Sequence, residues 1–208
     1  MITISAFCSA PDFARGNVRD LRPRWALEEA GIPYQTRLLE FGEQQRPEYR
    51  ALQPFGQVPI LEEDGLVLFE SGAIVLHIGA RCEALLPADP IQRARATQWL
   101  FAALNSVEPS IMNVAAIEYA FGDQDWAKLR RPGAREVASR RLAHLANALG
   151  DKPYLDGDRF TAGDLVMTTV LRIVPGLVTD PRLAAYVERC TARPAFGRAY
   201  EAHMGDFN

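Results

Sequence analysis

The sequence predicts an α/β domain over residues 1–80, a short linker, and an all-α domain over residues 91–208. Three observations predict it. β-type runs at residues 2–7, 34–41, 58–61 and 66–69 all precede residue 80, and the first two flank a helical stripe, the pattern of a βαβ unit. The last two flank Glu62-Glu63-Asp64-Gly65, an Asp-Gly hairpin signal. Past Leu85-Leu86-Pro87-Ala88-Asp89-Pro90 no strand pattern of any length recurs.

Ile2-Thr3-Ile4-Ser5-Ala6-Phe7 alternates large apolar with small residues, as a first strand does. Residues 9–19 carry Pro, Gly, Asp and Asn and read as an irregular loop. Pro23 is tolerated only in a first helical turn, so regular helix starts near Asp20, a good N-cap, and ends at Gly31 with Pro33 beyond. A second strand spans 34–41, a short helix 47–52, and a third helix 71–82, where His77 reads as an ordinary helix histidine. In the second half, a helix over 91–120 is bent at Glu108-Pro109, and one over 126–149 has Leu129, Val137, Leu142, Leu145 and Leu149 as its apolar face. Thr161 and Asp164 form a capping box ahead of a core helix at 165–173, and short helices at 181–193 and 194–203 finish the chain.

Hydrophobic residues at 48%, charged residues at 24% and a net charge of −3 give no bias toward nucleic acid. No basic segment precedes an apolar core at the start, and no apolar run approaches a membrane span, so a cytoplasmic protein with no membrane partner is expected. Cys8, Cys82 and Cys190 are widely spaced and lack paired His ligands, so neither disulfide framework nor metal site is indicated.

The chemistry-bearing stretch is 54–78. Pro59 cannot donate to a ladder, so it belongs at the start or edge of its strand, where the Val58 backbone is left to pair with something outside the protein. Glu70-Ser71 opens an apolar helix whose first N–H groups are a ready carboxylate site. Hairpin, proline and Glu-Ser pair in this order strongly resemble the glutathione-binding half of the glutathione S-transferase family. The resemblance covers essentially the whole chain. It implies a thioredoxin-like first domain, a cis Pro59, and glutathione held by Gln57, Val58, Pro59, Glu70 and Ser71. The competing role of Glu70 and Ser71 is plain helix capping.

Family members place a Tyr, Ser or Cys against the glutathione sulfur, between the first strand and first helix. Counting back from Leu27-Glu28-Glu29-Ala30-Gly31 puts Asn17 at the position of the serine-type enzymes, a departure from the pattern. An Asn amide donates to a thiolate but is no base. Arg15 and Arg19 are rival thiolate stabilisers, with Ser9 and Cys8 behind them. By family position the second substrate falls to Asn105, Met112, Asn113, Ile117 and Tyr119, although helical spacing alone would make the apolar ones core. The resemblance implies a homodimeric glutathione transferase acting on a small electrophile. A glutathione-dependent isomerase, peroxidase or dehalogenase, and a binding module without turnover, are the alternatives.

Overall fold

Alternation of large and small residues places β1 (Ile2–Phe7) inside a four-stranded sheet of order β2-β1-β3-β4, in a computed structural model that describes residues 1–207. After β1 comes α1 (Leu21–Ala30), whose Leu21, Trp25 and Leu27 are fully buried and whose C-cap Gly31 takes the left-handed conformation. β2 (Tyr34–Leu39) then lies parallel to β1, with Ile2 opposite Tyr34 and Phe7 opposite Leu39. A 3-10 turn (Glu43–Gln45) and α2 (Pro47–Arg50) lead to the hairpin.

The hairpin is β3 (Ile60–Glu63), antiparallel to β1, and β4 (Leu66–Phe69). The expected strand at 58–61 is therefore displaced by two residues: Val58 and Pro59 precede β3, because a residue without an N–H cannot enter a ladder between two partners. Asp64 and Gly65, at φ 47° and 87°, make the two-residue turn that positive φ at both positions requires. α3 (Ser71–Gly79) follows directly.

The second unit, Asp89–Ala192, is helical. α4 (Pro90–Phe101), a π turn (Ala102–Val107), α5 (Glu108–Ala115) and a second π turn (Ala116–Ala120) run on without a break. At Pro109, where a bend was expected, a π turn stands just before the proline and the helix continues. Contrary to expectation, this helix is long and apolar enough to cross a membrane by length and composition, though core helices meet the same test. In α6 (Asp125–Leu149) the buried face is Ala127, Ala134, Ala138, Leu142, Leu145, Ala146 and Leu149. Leu129 and Val137, expected on it, are 84% and 49% exposed, because small residues bring α6 close to its neighbours. α7 (Ala162–Leu171) is buried throughout, and Gly163 lets it close on α4: a Cβ there would fall 2.5 Å from Trp99 Cβ. The Asp164 carboxylate accepts the Thr161 N–H and O–H and the Leu155 N–H at 2.8, 3.0 and 2.9 Å, and the Tyr186 hydroxyl at 3.1 Å. α8 (Pro181–Thr191) closes this unit.

Residues 193–207 belong with Met1–Ala88, not with the helical unit where the sequence placed them. There α9 (Pro194–Gly205) packs on α1: Phe196 meets Trp25 edge-on at 4.8 Å, and Arg193 holds Glu29 through two bonds of 2.6 and 2.7 Å. Asp20 makes no side-chain cap on α1. Its carboxylate instead accepts from Arg24 Nε at 2.8 Å and lies 2.9 Å from His203 Nδ1, all three side chains being buried.

Candidate functional site

The junction between β4 and α3 combines three features in consecutive residues. Glu70 has φ 70° and ψ 111°, a conformation that costs a β-carbon residue energy and tends to occur where function demands it. Its exposed carboxylate bonds to nothing among the described residues and does not cap α3, which removes the plain capping role. The first backbone bond into the helix is Ile74 N–H to Glu70 carbonyl at 3.0 Å, so the N–H groups of Ser71, Gly72 and Ala73 are left at the helix start.

Arg22 completes the junction, and sequence reasoning missed it. From the buried face of α1 its Nη1 donates to Ser71 Oγ at 3.1 Å, with Arg22 only 3% exposed and Ser71 5%. Because Ser71 Oγ accepts this bond, its own O–H is free in direction to donate to a ligand. The available signal was a charged residue inside the apolar stripe Leu21, Trp25, Leu27. The Ser71 hydroxyl, held by the Arg22 guanidinium, three backbone N–H groups and the positive end of α3 make this helix start favourable to an anion, with the Glu70 carboxylate beside it. That pairing suits a zwitterionic amino-acid end.

Val58 and Pro59 border the same end of the sheet, and the Val58-Pro59 peptide is cis, as the resemblance implied. Neither the N–H nor the C=O of Val58 bonds to another described residue, which leaves its backbone open to a strand-like partner. Gln57 next to it is exposed. Val18 packs against the cluster of Leu39, Tyr49, Val58 and Ile60, so the loop carrying Asn17 is pinned between Val58 and the Arg22–Ser71 contact.

Within that loop the Asn17 N–H bonds to Ala14 carbonyl at 2.9 Å. Its side-chain oxygen is buried and unpartnered, so the NH2 is the end that solvent reaches. Arg15 is turned to the loop itself and to the C-terminal segment: its Nε is 3.2 Å from Ala10 carbonyl and 3.6 Å from Asp12, and its guanidinium lies 6.0 Å from the Phe207 ring. Arg19 is half-buried, its carbonyl accepting the Arg22 N–H. Ser9 is half-buried, and Cys8 is buried at the end of β1, its thiol pushed up by desolvation and by Glu40. In the second unit Asn105, Met112, Asn113 and Tyr119 are exposed on the long helix, whereas Ile117 is 3% exposed and belongs to the core. His77, expected to be an ordinary helix histidine, pairs with Glu63 at 2.9 Å. No cluster of three metal-ligating side chains occurs among the described residues.

A thioredoxin-like sheet with an open helix start at the β4–α3 junction, followed by a helical unit, defines the class. The glutathione S-transferase N-terminal domain model matches residues 13–80 and the C-terminal domain model residues 110–194. The chain is 30% identical over 199 residues to a maleylacetoacetate isomerase of Pseudomonas aeruginosa, covering 89% of this chain and 92% of the relative. It is 29% identical over 195 residues to the disulfide-bond oxidoreductase YfcG of Escherichia coli, covering 86% and 89%. The crystal structure of a theta class glutathione S-transferase from Xanthomonas axonopodis pv. citri, with glutathione bound, superposes with a TM-score of 0.79 at 31% identity, covering 96% of each chain. The protein belongs to the glutathione S-transferase family.

Proposed function

We propose that the protein is a glutathione transferase that joins the glutathione sulfur to a small electrophile. The observation that carries this is the β4–α3 junction, where the strained Glu70, with its uncommitted carboxylate, adjoins the Ser71–Arg22 anion position and the open Val58 backbone. Glu70 takes the γ-glutamyl ammonium, Ser71, oriented by Arg22, takes the γ-glutamyl carboxylate with the helix N–H groups, and Val58 takes the cysteinyl amide. The sulfur then falls beside the loop of Asn17.

A thiol of pKa about 8.5 is only a few per cent ionised at neutral pH, and each unit of lowering corresponds to about 1.4 kcal/mol of preference for the anion. The Asn17 NH2 supplies a donor to that anion. The thiol proton leaves to solvent, since an amide is no base. The thiolate forms a C–S bond as the leaving group departs with its electron pair. Titration calorimetry with glutathione, followed by turnover of a generic aryl halide, tests the reading. Measurable binding with turnover is expected, and no binding by the wild type overturns it.

The isomerase and oxidoreductase relatives keep glutathione-dependent isomerisation and disulfide exchange as second readings. Exchange through a protein thiol is disfavoured by Cys8, which is buried and raised in pKa. A homodimer is part of the proposal: Phe55, Leu66, Val67 and Phe69 are exposed at the hairpin end of the first unit, with Phe55 and Phe69 in edge contact at 6.1 Å.

A further inference from the structure

Pro59 brings no N–H to the sheet, so the segment 57–60 must be held by other groups. Three hydrogen bonds do this. The Ile60 N–H donates to Ser5 Oγ at 2.8 Å, Ser5 Oγ lies 2.8 Å from the Tyr49 hydroxyl, and the Tyr49 hydroxyl lies 2.8 Å from the Gln57 carbonyl. Their direction follows from what each atom can do. A carbonyl only accepts, so the Tyr49 O–H points to Gln57, the Tyr49 oxygen takes the Ser5 O–H, and the Ser5 oxygen takes the Ile60 N–H.

This chain grips both flanks of Val58-Pro59 from below the sheet, and leaves the Val58 backbone uncommitted between them. Ser5 is 1% exposed and Tyr49 6%, so water does not compete for the bonds. The Tyr49 ring packs with Leu39, Val58 and Ile60, and the Arg37 guanidinium lies 5.6 Å from its centroid, fixing the phenol from two sides.

We propose that Tyr49 and Ser5 are positioning residues for glutathione: as one hydrogen-bonded unit they set where the Val58 backbone meets the cysteinyl amide. The inference rests on the glutathione reading above. Tyr49→Phe keeps the ring and removes the O–H, and Ser5→Ala breaks the chain at its middle. Each is expected to weaken glutathione binding about three- to tenfold in calorimetry, the effect of one or two neutral hydrogen bonds. The KM for glutathione should rise by the same factor, while kcat and the KM for an aryl halide stay within twofold. The double variant should be no worse than the weaker single one, because a chain broken once is already broken.

Wild-type binding with Tyr49→Phe indistinguishable from it overturns the positioning role and leaves the site reading standing. Additive losses in the double variant, or kcat falling in step with the melting temperature, also overturn it, since they mark two independent packing defects. If Tyr49→Phe does not fold, Ser5→Ala carries the same comparison. A wild type that does not bind glutathione overturns both.

Discussion

Glu70 is where backbone strain and an uncommitted charge coincide, and the two can be separated by substitution. Glycine occupies φ 70° without the Cβ penalty, whereas alanine does not. Glu70→Gly should therefore melt higher than Glu70→Ala, by a difference of about 1 kcal/mol in denaturant unfolding, while both lose glutathione affinity by about tenfold or more. Equal stability of the two variants would show that the conformation carries no strain. Arg22 gives a second prediction. Arg22→Met keeps most of the buried stem and removes the guanidinium, so it should weaken glutathione by about tenfold or more, the effect of a hydrogen bond to a charged group. Calorimetry of folded Arg22→Met, confirmed by circular dichroism, reads it.

Among the elements, the hairpin is tied to α3 by an ion triad. Glu63 at the end of β3 takes two bonds from Arg81, at 2.6 and 2.9 Å, and one contact at 2.9 Å with His77. The Arg81 bonds first, and His77 second, hold its carboxyl down at about 2, against an ordinary 4.5. A depressed carboxylate stabilises the fold fully above its unfolded pKa and loses that contribution as pH falls through the folded one. The loss should therefore run from about pH 4.5 down to about pH 2. Arg81 is 40% exposed, so solvent screening reduces the contribution to about 1 kcal/mol. Urea unfolding of wild type and Glu63→Gln should differ by that amount at pH 6 and converge near pH 2. Elsewhere in the same unit, Asp20 joins α1 to α9 through Arg24 and His203. Asp20→Ala would leave buried Arg24 with Asp206 as its one carboxylate partner and His203 without Asp20, and should cost about 3 to 5 kcal/mol in denaturant unfolding.

At the scale of the whole molecule the proposed homodimer makes each exposed hairpin residue count twice across a two-fold axis. Phe55 is 63% exposed in the single chain, and covering an aromatic side chain contributes roughly 1.5 to 3 kcal/mol. Sedimentation at micromolar concentration should give twice the 23.1 kDa chain mass, and Phe55→Ala should move the equilibrium toward monomer. A wild type that sediments as a monomer excludes the arrangement.

Local signals were enough for the elements. The Asp-Gly turn, Gly31 and the Thr161–Asp164 box depend on neighbours a few residues apart, and the structure keeps all three. Pro59, Glu70 and Ser71 were legible because a ladder-breaking proline and a helix start are events of backbone chemistry. What depended on residues far apart in the chain was not legible. Arg22 looks like a misplaced charge until α1 lies against Ser71, 49 positions away. Asp20 resembles a helix cap until His203 and Arg24 claim its carboxylate. Leu129 and Val137 fit a helical stripe that small alanines fill instead, because a close helix contact selects for size as well as polarity. Ser5 and Tyr49 are an unremarkable strand serine and helix tyrosine until the sheet sets them under Gln57. The sequence by itself determined the order and type of the elements and the position of the backbone proposed to bind glutathione. The tertiary structure alone decided which side chains orient it, since a hydrogen bond exists only once both of its groups have been brought together.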